Sequence, residues 1–342
     1  MRGISLAALL LAVTASAQDR VVKGIEEFHQ GKFADAQATL EQALKQKPGD
    51  PHARTFLALS RAAAGRCDVA ANDLSAAFTT SQDADLRRLA GVALAQCHMA
   101  HKRLDAALAV VVELEKQFPA DADVLYEAAK LHWKAWNDVV FQMFQKTPAS
   151  YRVNQVSAEI FEVQGRYADA VAEYRKAIEK NPAAVNLHFR LARALLMQSH
   201  AVEAMNEARE QFAAELKLNP SDAVAEYEIG QILVAENKLQ QAAPRFERAL
   251  ALAPDFAEAL LAVARLRSEA KRYDDAIPLL ERAAGLQPEN ESVHYNLMLA
   301  YRNMGRNADA LREKEVIEKL QRPPAGEFTE FLKKLGEKAP NQ

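Results

Sequence analysis

Few side chains in this sequence are spaced for chemistry. Cys97, His98 and His101 crowd one stretch, with His132 further on, and Cys67 is the only other cysteine. On a helix, positions three apart share a face, so His98 and His101 with the Cys97 thiolate form the nearest thing to a zinc or copper site. No second cysteine pair, no Cys-x-x-Cys and no acidic cluster at ligand spacing completes it, so no metal is expected. A metal-handling protein using these three residues is kept only as a remote alternative. Cys67 and Cys97 are instead candidates for a disulfide, if the chain is exported. Acidic pairs such as Asp121–Asp123 and Asp274–Asp275 fall where helices should begin, where they satisfy free N–H groups and the helix dipole. There is no Gly-x-Ser-x-Gly elbow, no phosphate-binding glycine loop and no His-Glu-x-x-His. The expectation is a protein that is not an enzyme and needs no cofactor.

The composition narrows the classes further. Among 342 residues, 43 are Lys or Arg and 46 are Asp or Glu, a formal charge of −3. That near balance gives no electrostatic footprint for nucleic acid. About a fifth of the residues are alanine, with 12 glycines and 13 prolines. Such a mixture favours helix over an all-β sandwich. No apolar run is long enough to span a membrane.

The N-terminus reads as an export signal. Arg2 supplies the positive start, Ile4 to Val13 the apolar stretch, and Ala15-Ser16-Ala17 the small-residue cleavage site. A signal peptide over 1–17 implies a periplasmic or secreted protein.

The remainder repeats. Gly31-Lys32-Phe33-Ala34-Asp35-Ala36 leads to Leu40, Ala43 and Pro48; the same order recurs from Gly165 to Pro182 and from Lys271 to Pro288. Pro220, Pro254 and Pro288 are 34 apart, and so are Ala208, Ala242, Ala276 and Ala310. Each unit is a helix, a turn and a second helix stopping before proline. Units fall at about 17–50, 51–87, 88–121, 122–150, 151–184, 185–222, 223–256, 257–290 and 291–324. The fourth is short, lacks a glycine turn and holds Trp133 and Trp136; its two helices are expected to run together or to bend sharply. Those tryptophans read as a packing junction, or else as an aromatic binding surface. The second and sixth units carry a few extra residues.

This pattern resembles the tetratricopeptide repeat family over nearly all of the chain after the signal. The resemblance implies an all-α, right-handed solenoid of about nine hairpins, with an N-terminal sub-array over 18–150, a C-terminal array over 151–324, and a capping segment and tail over 325–342. It also implies a concave groove lined by first helices that holds a peptide or a partner helix. Carried over by position, the groove residues are Phe189, Arg193, Tyr227, Gln231, Arg265, Tyr295 and Arg302. The lysine and asparagine clamp of chaperone-binding members is not matched, so that partner is not expected. The reading is a non-catalytic interaction scaffold of the cell envelope or secreted space, not membrane-spanning, with a structural envelope component or a polysaccharide-associated protein as alternatives.

Overall fold

The computed structural model describes residues 16–321. The signal stretch up to Ala15 and the tail beyond Gln321 lie outside the described residues. The chain divides into two compact units, Met1–Lys146 and Thr147–Gln342.

In the first unit, three hairpins pair α1 (Ala17–His29) with α2 (Phe33–Gln46), α3 (Pro51–Ala63) with α4 (Cys67–Thr80), and α5 (Ala84–Ala100) with α6 (Leu104–Gln117). A single long helix, α7 (Ala122–Lys146), follows. The second unit holds five hairpins: α8 (Tyr151–Val163) with α9 (Tyr167–Lys180), α10 (Leu187–Gln198) with α11 (Val202–Leu218), α12 (Ala223–Ala235) with α13 (Leu239–Leu252), α14 (Ala257–Glu269) with α15 (Tyr273–Leu286), and α16 (Glu291–Asn303) with α17 (Asn307–Leu320). The described residues thus form eight hairpins and one unpaired helix, nine units of an all-α helical-repeat solenoid. The fourth unit is not a hairpin: without a turn residue between them, its two helices run together as the 25 residues of α7.

The turn inside seven of the eight hairpins is one device; the exception is α10–α11, whose link runs through extended Ser199. Gly31, Gly65, Gly165 and Gly305 take positive φ there, and Lys102, Asn237 and Lys271 take the same backbone conformation in the hairpins that lack glycine. Each closes the first helix with a pair of reverse hydrogen bonds, as where Gly31 N–H donates to Phe28 and Lys32 N–H to Glu27. Most first helices, unlike the second ones, are capped at their start by a side chain: Asp50 accepts from Ala53 N–H, Asp222 from Ala225 N–H, and Ser16 from Asp19 N–H.

The core follows the sequence interval. Ala208, Ala242 and Ala276 are fully buried, and Ala310 nearly so. Between these small residues sit large ones with no exposed surface to speak of: Tyr174, Phe212, Phe246, Leu280 and Leu297. Each hairpin can bury only one face of its helices alone, so stacking neighbours supplies the rest. α11 is 17 residues long where the other second helices of the unit have 14, which takes up the extra sequence of the sixth repeat as most of one helical turn.

One helix start is built differently. α10 begins after Asn186, which has φ of 74° and offers no capping side chain. Glu215 of α11 reaches in instead, fully buried, accepting from Asn186 N–H at 2.7 Å and Phe189 N–H at 3.3 Å. The neighbouring helix therefore satisfies donors that would otherwise be orphaned.

Candidate functional site: the first-helix face of the second unit

The first helices α12, α14 and α16 share one face that walls two adjoining hollows. Between α14 and α16 this face opens into a cleft of about 760 Å³, walled by Arg265, Ser268, Glu269, Glu291, Tyr295 and Asn303 among others. A smaller hollow of about 110 Å³ adjoins it between α12 and α14, walled by Tyr227, Gln231, Val234, Glu258, Leu261 and Arg265. Arg265 and Glu269 belong to both, so the two form one run along three helices.

Four of the seven residues assigned by repeat position, Tyr227, Gln231, Arg265 and Tyr295, line this run. Their roles differ. Arg265 is exposed and has no ion-pair partner among the described residues. Tyr295 leaves 51% of its surface open. Tyr227, by contrast, is half-buried, its ring 5.0 Å from Phe256 and 5.6 Å from Phe246. Its hydroxyl accepts a 2.6 Å hydrogen bond from Gln231 Nε2, which ties up both side chains. Burial pushes the Tyr227 hydroxyl above its ordinary pKa despite that bond. Tyr227 is a wall of the groove, and a recognition residue only through its exposed edge.

The remaining three stand apart from the run. Phe189 is half-buried and packs edge-on against Phe212 of the core at 5.3 Å. Arg193 is exposed on α10 and acts on the carboxyl of Glu228. Burial raises the Glu228 pKa, and Arg193 only partly opposes it. Arg302 is exposed on α16 and lines neither hollow.

Repeat position also puts Ser268 and Asn303 on the ligand-facing side, and both line the larger cleft with Asn296. Ser268 Oγ is buried with no hydrogen-bond partner among the described residues, in the wall of the larger cleft. Asn296 and Asn303 each donate back to the carbonyl four residues earlier, Ser292 and Leu299, leaving Oδ1 as a free acceptor. The signal was in the sequence: asparagine is a weak helix former, so two on one helix ask for a reason.

In the first unit, Cys67 and Cys97 meet with Sγ atoms 2.04 Å apart and Cα atoms 5.2 Å apart, joining α4 to α5. His98 beside them is held below its ordinary pKa by burial first, then by Arg103 and His101. With the Cys97 sulfur engaged, the histidines have no thiolate to share, and no group of three or more potential ligands occurs among the described residues. Trp133 and Trp136 of α7 stack at 5.6 Å, with 66% and 43% of their surfaces exposed.

Family models agree with the repeat reading. A model described as "Tetratricopeptide repeat" matches residues 21–84, and one described as "TPR repeat" matches 160–199, so one stretch in each unit is similar to repeats of this kind. A third, "Bacterial transcriptional activator domain", matches 234–322. No curated protein matches the chain significantly. Solved structures with similar stacks include YrrB, described as "a TPR protein with an unusual peptide-binding site". It is 18% identical, and the match covers 57% of this chain and 97% of that one at a TM-score of 0.45. MamA from Desulfovibrio magneticus RS-1 is also 18% identical, with 52% and 97% covered at 0.46. Likenesses this low carry nothing about partners or chemistry.

The fold and repeats define the class: an all-α helical-repeat protein of the kind that serves as an interaction scaffold. None of these three family models describes an enzyme.

Proposed function

We propose that the chain is an exported, non-catalytic scaffold that holds a peptide or partner helix against the first-helix face of the second unit. One observation carries this reading. Arg265, with no ion pair of its own, sits where two adjoining hollows meet, with exposed Tyr295 beyond it. Arginine and aromatic residues are the types that dominate binding energy when a partner desolvates them. The hairpin stack holds the face rigid, so a ligand is not opposed by ordering of the receptor. Arg2, the apolar stretch and Ala15-Ser16-Ala17 support export, and the Cys67–Cys97 geometry agrees with an oxidising compartment.

Site-specific photo-crosslinking in cells tests the reading. A photoreactive residue at Tyr295 should capture a defined partner peptide that one at Arg248, exposed on the second helix α13, does not. Capture from Arg248 alone would move recognition to the second-helix face and end the groove reading.

A second reading is favoured by the exposed, stacked Trp133–Trp136 pair. Such a platform suits sugar rings, and an envelope polysaccharide would be its ligand. Loss of polysaccharide binding on Trp136→Ala, with the Tyr295 crosslink unchanged, would establish that site as a separate one.

A further inference from the structure

The lining of the groove is unequal in charge and in hydrogen-bonding type. Glu258, Glu269 and Glu291 face it, and none has an ion-pair partner among the described residues. Glu258 and Glu291 each accept only from a glutamine amide, Gln287 and Gln321. Against these three carboxylates stands one cation, Arg265. Among the described residues, Asn296 and Asn303 keep free Oδ1 acceptors, and the Ser268 hydroxyl oxygen is buried without a hydrogen-bond partner. The open ring of Tyr295 offers an aromatic face in the same cleft.

Surplus acceptors need a ligand that brings donors. We infer that the occupant of this groove is a basic segment, carrying Lys or Arg beside apolar residues. An ammonium or guanidinium brings three to five N–H donors and no acceptor, which matches carboxylates, amide oxygens and a hydroxyl. It is also attracted to an aromatic face. The apolar neighbour rests on Leu261, Val234 and the Tyr227 edge in the adjoining hollow. Arg265 is left to meet a backbone carbonyl or the segment's own carboxylate. An acidic segment would face three unneutralised carboxylates and gain one arginine. This inference rests on the groove reading above and specifies its partner class.

The test uses fluorescence anisotropy on the whole chain with three labelled twelve-residue peptides of Leu, Ser and Gly. They differ only in four positions, all Lys, all Ser or all Glu. The lysine peptide should bind on the order of tenfold tighter than its serine twin, and the glutamate twin most weakly. Changing Glu258, Glu269 and Glu291 together to Gln should bring the lysine peptide to the level of the serine twin. The same charge change at exposed Glu179, Glu203 and Glu315 should leave it within about twofold, since those charges are screened from the site. Circular dichroism of both triple variants checks that each is folded. If the serine or glutamate twin binds as tightly as the lysine peptide while Tyr295→Ala weakens all three, the groove stands and the basic assignment falls. Equal loss in the control triple would make the attraction non-specific and overturn the assignment too. Indifference of all three peptides to Tyr295→Ala would overturn the groove itself.

Discussion

Gly230 of α12 lies against the ring of Phe246 with no room for a side chain between them. A Cβ at position 230 would stand 2.5 Å from Phe246 Cε1. The same device recurs in the first unit, where a Cβ on Gly24 would meet Leu40 at 2.6 Å and one on Gly91 would meet Leu114 at 2.7 Å. In each case a first helix drops its side chain so that a large residue of a second helix can fill the gap. Gly230→Ala gains about 1 kcal/mol of helix propensity but forces the Phe246 ring to move. Overpacking of this kind costs about 1–3 kcal/mol, so the variant should be the less stable in urea. Gly285, whose Cβ would meet nothing within 4 Å, is the matched control. Gly285→Ala should be neutral or stabilising by up to about 1 kcal/mol. Equal behaviour of the two would refute close approach at Gly230.

The Cys67–Cys97 pair makes a chemical prediction. Thiol titration of denatured, unreduced protein should find no reactive thiol. The two residues are 30 apart in sequence, and closing such a loop is worth about 3–4 kcal/mol in the chain-entropy model. Reduction should therefore lower the unfolding midpoint of the first unit and leave the second unchanged, read by urea titration with and without reductant. Two titrating thiols would exclude the bond.

Glu215 caps a helix to which it does not belong. Replacing this fully buried side chain by alanine leaves the N–H groups of exposed Asn186 and half-buried Phe189 without their acceptor. The cost should be about 2–4 kcal/mol, with amide exchange accelerated first at the start of α10. Glu215→Gln keeps one acceptor oxygen and should lose less. Equal losses would show that the cap is not what Glu215 supplies.

Acid should weaken the first unit through its aspartate caps. Asp83 is held below the ordinary carboxylate range by the Leu86 and Asp85 N–H groups and by His52, which outweigh burial. For Asp50, burial alone would raise the pKa, but the Ala53 N–H with Lys47 and His52 brings it lower. A depressed folded pKa contributes stability that is full above the unfolded value, about pH 4, and is lost as pH falls through the folded one. Thermal melts should therefore drop below about pH 4. Asp83→Asn keeps a cap that does not titrate and should flatten that acid limb; an unchanged limb would assign the loss elsewhere.

Much of this was legible in the sequence. The 34-residue interval of Ala208, Ala242 and Ala276 gave the hairpin stack, because a buried position that admits only a small residue repeats with the unit. The missing glycine turn in the fourth repeat left a continuous helix or a sharp bend, and α7 is continuous. Pro244 and Pro278 stand inside α13 and α15, where proline rules alone would expect a break. Repeat position placed Phe189 and Tyr227 on the groove side but not their depth. Depth depends on Phe212 and Phe256, which the chain brings up from later segments. The Glu215 cap had no local signature, since its acceptor arrives 29 residues after Asn186.

The cleft between α14 and α16 is the proposed seat of the partner segment. Hydrogen exchange by mass spectrometry, with and without a saturating lysine peptide, tests it directly. Exchange should slow at α14 and α16, around Arg265 and Tyr295, with α13 and α17 unchanged. Protection confined to α13, α15 or α17, or none anywhere at saturation, would contradict it.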